Sequence, residues 1–168
     1  MKYINIFFIL SIIGHFIENF FYHHKDSGIL YGYWTPLYGL GILIIIFINY
    51  KLKKIKLNKS IQPIYLFFIC ASTISLLELI SGYIIEILFN KVFWDYSNMP
   101  LNIGKYTAIS MSFIWGITSI IFIYILEPII NLISKKIPKY ITYTLSILFL
   151  IDIIFTIINK TSILLLVF

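Results

Sequence analysis

Seven carboxylates survive in a 168-residue chain that is 60% hydrophobic and only 12% charged, and their spacing is where chemistry could begin. Glu78, Gly82 and Glu86 recur every four residues. On a helix they rise along one side, the two acids about 12 Å apart along the axis. Ser75 extends that stripe. His15, Glu18, Asn19 and Tyr22 fall at offsets of three, four and seven, a second one-sided stripe. The polar, aromatic stretch Trp94-Asp95-Tyr96-Ser97-Asn98-Met99-Pro100-Leu101-Asn102 then follows the Glu78–Glu86 segment.

A carboxylate near the centre of a bilayer costs several kcal/mol if unpaired, so these groups must face one another, water or a site. The acids could line an outward-facing path for a substrate or protons. One of them, its pKa raised by burial, could act as acid or base on a membrane-surface substrate. His15 with Glu18, Glu78 or Glu86 could hold a metal, although a His and Glu three apart is a weak signal without a His-Glu-x-x-His motif. The plainest alternative is that they hydrogen-bond one another and set helix packing. Asp95 admits two roles, capping the turn that follows it or closing over a site formed by the stripes below. Asp152 is a lone acid in the last apolar segment, paired either with the stripes or with Lys160. His23, His24 and Asp26 form a polar surface loop, better read as headgroup contacts than as a chelating site.

The elements that would position these groups are membrane helices. So few charges exclude an ordinary soluble domain, and 168 residues have room for about five or six spans. Apolar segments are expected over residues 3–22, 36–50, 61–89, 106–126 and 140–158, giving an all-α, single-unit bundle of five spans. The third is long for one crossing, so it tilts or extends beyond the hydrocarbon. Pro36 and Pro63 suit first turns of helices, and Glu127-Pro128 should end or kink the fourth segment. Ser112 and Gly116 make a small-xxx-small pair for helix packing. Tyr31, Tyr33 and Trp34 fit an interfacial aromatic belt. The first segment, with His15 and Glu18 and no small-residue cleavage site, reads as a retained helix rather than a signal peptide.

The formal charge of +6 comes entirely from lysines in short loops, which fits topology and anionic headgroups rather than nucleic acid. Nine lysines fall on one side of the five spans and four on the other. The positive-inside rule then puts the amino terminus in the cytoplasm and the Trp94–Asn102 loop outside a cytoplasmic membrane. Cys70 is the only cysteine, so neither an intrachain disulfide nor a thiolate zinc site is available. No Walker A loop and no Gly-x-Ser-x-Gly elbow occurs, and no cofactor is indicated.

Certain residues together carry a family resemblance. They are Gly28-Ile29-Leu30-Tyr31-Gly32 leading into Pro36-Leu37-Tyr38-Gly39-Leu40-Gly41, the Glu78-x3-Gly82-x3-Glu86 stripe, Trp94 to Gly104, Ser112 and Trp115-Gly116. Over roughly residues 6 to 127 the chain resembles the bacterial membrane proteins of the CmpB-like type IV ABC-transporter permease family. The resemblance implies a cytoplasmic-membrane transport subunit that depends on a separate ATPase. Lys105 stands where a small residue would be expected.

The expected protein is thus a permease-like component embedded in the lipid bilayer, partnered by an ATPase subunit or by further copies of itself. Its outward polar pocket would draw on His15, Glu18, Asn19, Tyr31, Tyr38, Glu78, Glu86, Trp94, Asp95, Asn98 and Asn102. A membrane-embedded enzyme acting on a lipid-linked substrate and a structural or assembly protein are the alternatives.

Overall fold

The computed structural model describes residues 1–22, 28–55 and 57–160. The order of elements is α1 (Lys2–Tyr22), α2 (Pro36–Lys54), α3 (Gln62–Phe89), β1 (Asn102–Ile103), β2 (Thr107–Ala108), α4 (Ile109–Ile121), a π-helical turn (Phe122–Leu126), α5 (Glu127–Lys136) and α6 (Lys139–Lys160). In apolar runs of this length a helix satisfies every backbone group in lipid within the segment itself. Proline opens both α2 and α3, where its missing N–H removes no helical bond. Asn90, in the left-handed conformation at φ 51°, ends α3 by donating its N–H to the Glu86 carbonyl at 2.9 Å.

Five helical stretches among the described residues are long and apolar enough to cross a membrane: Lys2–Phe20, Pro36–Lys54, Gln62–Phe89, Ile109–Lys136 and Lys139–Lys160. Only 17–39% of each apolar window is buried within the chain, so most of each helix presents its side chains to lipid.

The fourth stretch does not stop at Glu127-Pro128. Proline cannot donate an N–H and crowds the carbonyl four residues back. The chain widens into the π turn just before it, with the Glu127 N–H bonding to the Phe122 carbonyl, and the helix carries on. The same turn places Phe122 and Ile123 in the core.

That core is assembled from α1 (Ile6), α2 (Ile45, Ile46, Leu52), α3 (Leu66, Cys70, Ile74), the π turn and Ile130 of α5. Consecutive helices pack in order, α1 on α2, α2 on α3 and α3 on α4, while α5 returns to α1. Without a hydrophobic force between helices in lipid, close packing and interhelical hydrogen bonds hold such a bundle. Gly116 takes the Phe67 ring, where a Cβ would lie 2.5 Å from Cε2, and Ser75 donates to the Ser112 hydroxyl at 2.6 Å. Both contacts lock α4 on α3.

The outer helix α6 touches α1 and is fixed by polar contacts near its start and in its second half. At the end bearing the lysine-rich loops, Asn5 bridges α1, α5 and α6. Its amide donates to the Ser134 carbonyl at 2.9 Å, and Thr142 donates to its oxygen at 2.6 Å. In the second half of α6, about two turns before Lys160, the contact is Asp152.

Candidate functional site

The α3 stripe and the segment after it meet at the end of the bundle away from the lysine-rich loops. Beyond Asn90 the chain turns back and forms a two-stranded antiparallel hairpin, with Asn102 paired to Ala108 and Ile103 to Thr107. Gly104 opens its three-residue turn at φ 66°, which glycine adopts without penalty. The turn does not project away. It lies along α3, and the Tyr106 ring fills the space left by Gly82, where a Cβ would be 2.5 Å from Tyr106 Cδ1.

Glu78 is 5% exposed and receives three neutral donors from three places. The Tyr96 hydroxyl donates to Oε1 at 3.2 Å, while Thr107 Oγ1 and Trp115 Nε1 donate to Oε2 at 3.3 and 3.1 Å. Two turns higher, Glu86 pairs with Lys105, Nζ to Oε1 at 2.6 Å, and accepts the Tyr106 hydroxyl on Oε2 at 2.6 Å. The two acids of the stripe therefore anchor the hairpin at two depths. Trp94 closes the arrangement by donating its indole N–H to the Tyr106 carbonyl at 3.1 Å.

Of the two roles open to Asp95, the structure has the turn cap: Oδ1 accepts the Ser97 N–H at 2.8 Å. Its neighbour Tyr96, which sequence reasoning left out of the site, is the residue that reaches Glu78. The Ser97 hydroxyl and N–H hold the Asp95 carboxyl below its ordinary range. Glu86 holds the Lys105 ammonium above the usual lysine value. Burial, then the bond to Glu86, pushes the Tyr106 phenol up.

On α1, Glu18 accepts Thr35 Oγ1 at 3.1 Å and is also hydrogen-bonded by Tyr38. The Tyr38 ring packs over Gly14 and meets the Trp115 ring at 6.4 Å, edge to face. Trp115 thus contacts Tyr38, a partner of Glu18, and donates to Glu78, linking the α1 and α3 stripes through two aromatics. His15 is buried, bonded to Asn19 at 2.9 Å, with its ring 5.6 Å from that of Tyr33.

Other candidates stand elsewhere. Asn98 and Asn102 are exposed, and the Asn102 amide donates to the Gly104 carbonyl at 3.0 Å. Tyr31 belongs to a separate centre at Asp152. There Oδ1 accepts the Tyr31 N–H at 2.9 Å and Thr156 Oγ1 at 3.2 Å, and Oδ2 accepts the Gly32 N–H at 2.8 Å and Trp34 Nε1 at 2.7 Å. Asp152 pairs with neither stripe nor with Lys160. Lys160 instead donates to the Ile29 carbonyl at 2.8 Å and lies over the Tyr31 ring, 3.9 Å from its centre. Trp34 is consequently buried rather than part of an interfacial belt, whereas Tyr31 and Tyr33 are exposed.

Sequence reasoning missed Tyr96, Thr107, Trp115, Lys105 and Tyr106. The available signal was donor chemistry, since a buried acid needs N–H and O–H partners and these side chains supply them. No three His, Cys, Asp or Glu side chains among the described residues are grouped to hold a metal ion. His23, His24 and Asp26 lie outside the described residues.

A family model described as "Putative ABC-transporter type IV" matches residues 5–157. No curated protein and no solved structure matches the chain.

Proposed function

The chain belongs to the type IV ABC-transporter family matched over residues 5–157, and from that membership we propose that it is the permease-like membrane component of a transport system. It works, in this reading, with a separate ATPase at its lysine-rich end. In this reading the amino terminus is cytoplasmic and the Trp94–Asn102 loop extracytoplasmic, following the nine-to-four lysine asymmetry.

One observation carries the proposal. The hydrogen bonds and the ion pair that tie the 94–108 segment to α3 run through Glu78 and Glu86, and they break without any covalent change. A closed lid over a buried carboxylate is what an outward gate requires: lifting it uncovers Glu78, and Trp115 and Tyr38 lead from there to Glu18. Glu18 and Glu78 are the residues proposed to meet the permeant, and Tyr96 and Thr107 those that close over it.

Co-purification from the native membrane and reconstitution into vesicles test this reading. An ATPase should accompany the chain, and ATP-dependent flux should fall sharply in Glu18→Gln and Glu78→Gln with the melting midpoint kept in at least one of them. A chain that purifies without an ATPase and turns over a lipid-linked substrate instead would replace transport with catalysis. Loss of folding in both variants would reduce the carboxylates to packing.

A further inference from the structure

The hairpin carries apolar side chains that are exposed. Leu101 is 71% exposed and Ile103 51% exposed. Leu101 also sits in the left-handed conformation at φ 56°, where a leucine side chain is strained and asparagine or glycine would not be.

Depth is set by α3. Its 28 residues make it roughly 42 Å long, against roughly 30 Å of hydrocarbon. The surplus of about two turns lies at the Phe89 end, where the half-exposed Glu86–Lys105 pair sits; the opposite end begins Gln62-Pro63-Ile64-Tyr65. Counted from Gln62, the hydrocarbon ends near Ser81. The hairpin turn lies at that level: a Cβ on Gly104 would be 3.0 Å from the Tyr83 hydroxyl and 3.4 Å from Leu79 Cδ1. Register gives the direction. Ile103 is paired with Thr107 and so shares its face of the ribbon. Thr107 reaches from that face down to Glu78, so Ile103 faces the same way, toward the membrane, and is exposed there.

We propose that Leu101 and Ile103 seat the hairpin in the bilayer surface, with the boundary between headgroups and acyl chains at this end as their partner. The hairpin is then held from two sides, by the stripe acids of α3 and by lipid at its edge. This goes beyond the transport reading and does not depend on it.

Nitroxide labels at Leu101→Cys and Ile103→Cys, in a Cys70→Ala background and in phosphatidylcholine–phosphatidylglycerol vesicles, test the seating. The ratio of oxygen to nickel-chelate collisions should be several-fold higher at both positions than at a label on Asn98→Cys. Equal ratios would overturn the proposal. So would spin–spin broadening at high lipid dilution, which would put a second copy of the chain on the patch. Leu101→Asn separates seating from folding, because it relieves the left-handed strain. The Ile103 label should then shift toward the chelate while the melting midpoint in detergent holds or rises. An unchanged Ile103 label in that variant would show that Leu101 does not contact lipid.

Discussion

At the scale of single residues, buried acids in this chain are defined by what donates to them. A carboxylate only accepts, so each oxygen of Asp152 is matched by two donors, and the side chain ties α6 to the Tyr31–Trp34 segment. Asp152→Asn would turn an NH2 group toward two N–H or O–H donors whichever way the amide flips. We expect it to destabilise the fold by roughly 2–3 kcal/mol, read as a lower melting midpoint in detergent. Thr156→Val, which removes one donor of four, should cost less. Equal effects would mean that the backbone donors contribute nothing. Asp152 also shows where residue-level reading stops. Its being an acid in lipid required partners, but two of those partners are backbone N–H groups some 120 positions away, which carry no side-chain signature.

The decisive element is the 94–108 segment, and its ionisable groups set how it responds to pH. Lys105 has its folded pKa raised by Glu86, so the pair's contribution is complete below the ordinary lysine value of about 10.4 and is lost as pH rises through the folded value. Tyr106, also raised, adds to the loss in the same direction. Asp95 is lowered by Ser97; its contribution is present above about 3.9 and disappears as pH falls through the folded value. The hairpin should therefore stay docked from roughly pH 5 to about pH 9 and loosen above the lysine range. The indole N–H resonance of Trp94, assigned with Trp94→Phe, reports docking through its bond to the Tyr106 carbonyl. Its loss near neutral pH would show that the Glu86–Lys105 pair does not hold the lid. The importance of this loop was legible from its residue types. Which of its residues reach α3 was not, because that depends on the Gly104 turn folding back along the helix.

For the whole molecule, the chief question is which end faces out. Single cysteines at Ser97 and Lys59 in a Cys70→Ala background should separate: an impermeant thiol reagent should label Ser97→Cys in intact cells and Lys59→Cys only after permeabilisation. The reverse pattern would invert the orientation and move the proposed gate to the cytoplasmic side. The bundle also explains how a helix as little buried as α6 stays in place: polar contacts at Asn5 and Asp152 hold its first turn and its second half.

The sequence by itself determined that this chain forms apolar helices able to cross a membrane, and that its few acids need partners. Hydrocarbon admits no unpaired backbone, and twenty apolar residues leave no other solution. The family was legible too, through short motifs on α2, α3, the loop and α4. Only tertiary structure decided the rest. It put Tyr96 rather than Asp95 on Glu78, carried the helix past Pro128 through a π turn, and gave Asp152 to the Tyr31–Trp34 segment instead of Lys160. Composition and periodicity act locally along the chain, whereas a hydrogen bond between α6 and a loop beside α1 exists only once the bundle has closed.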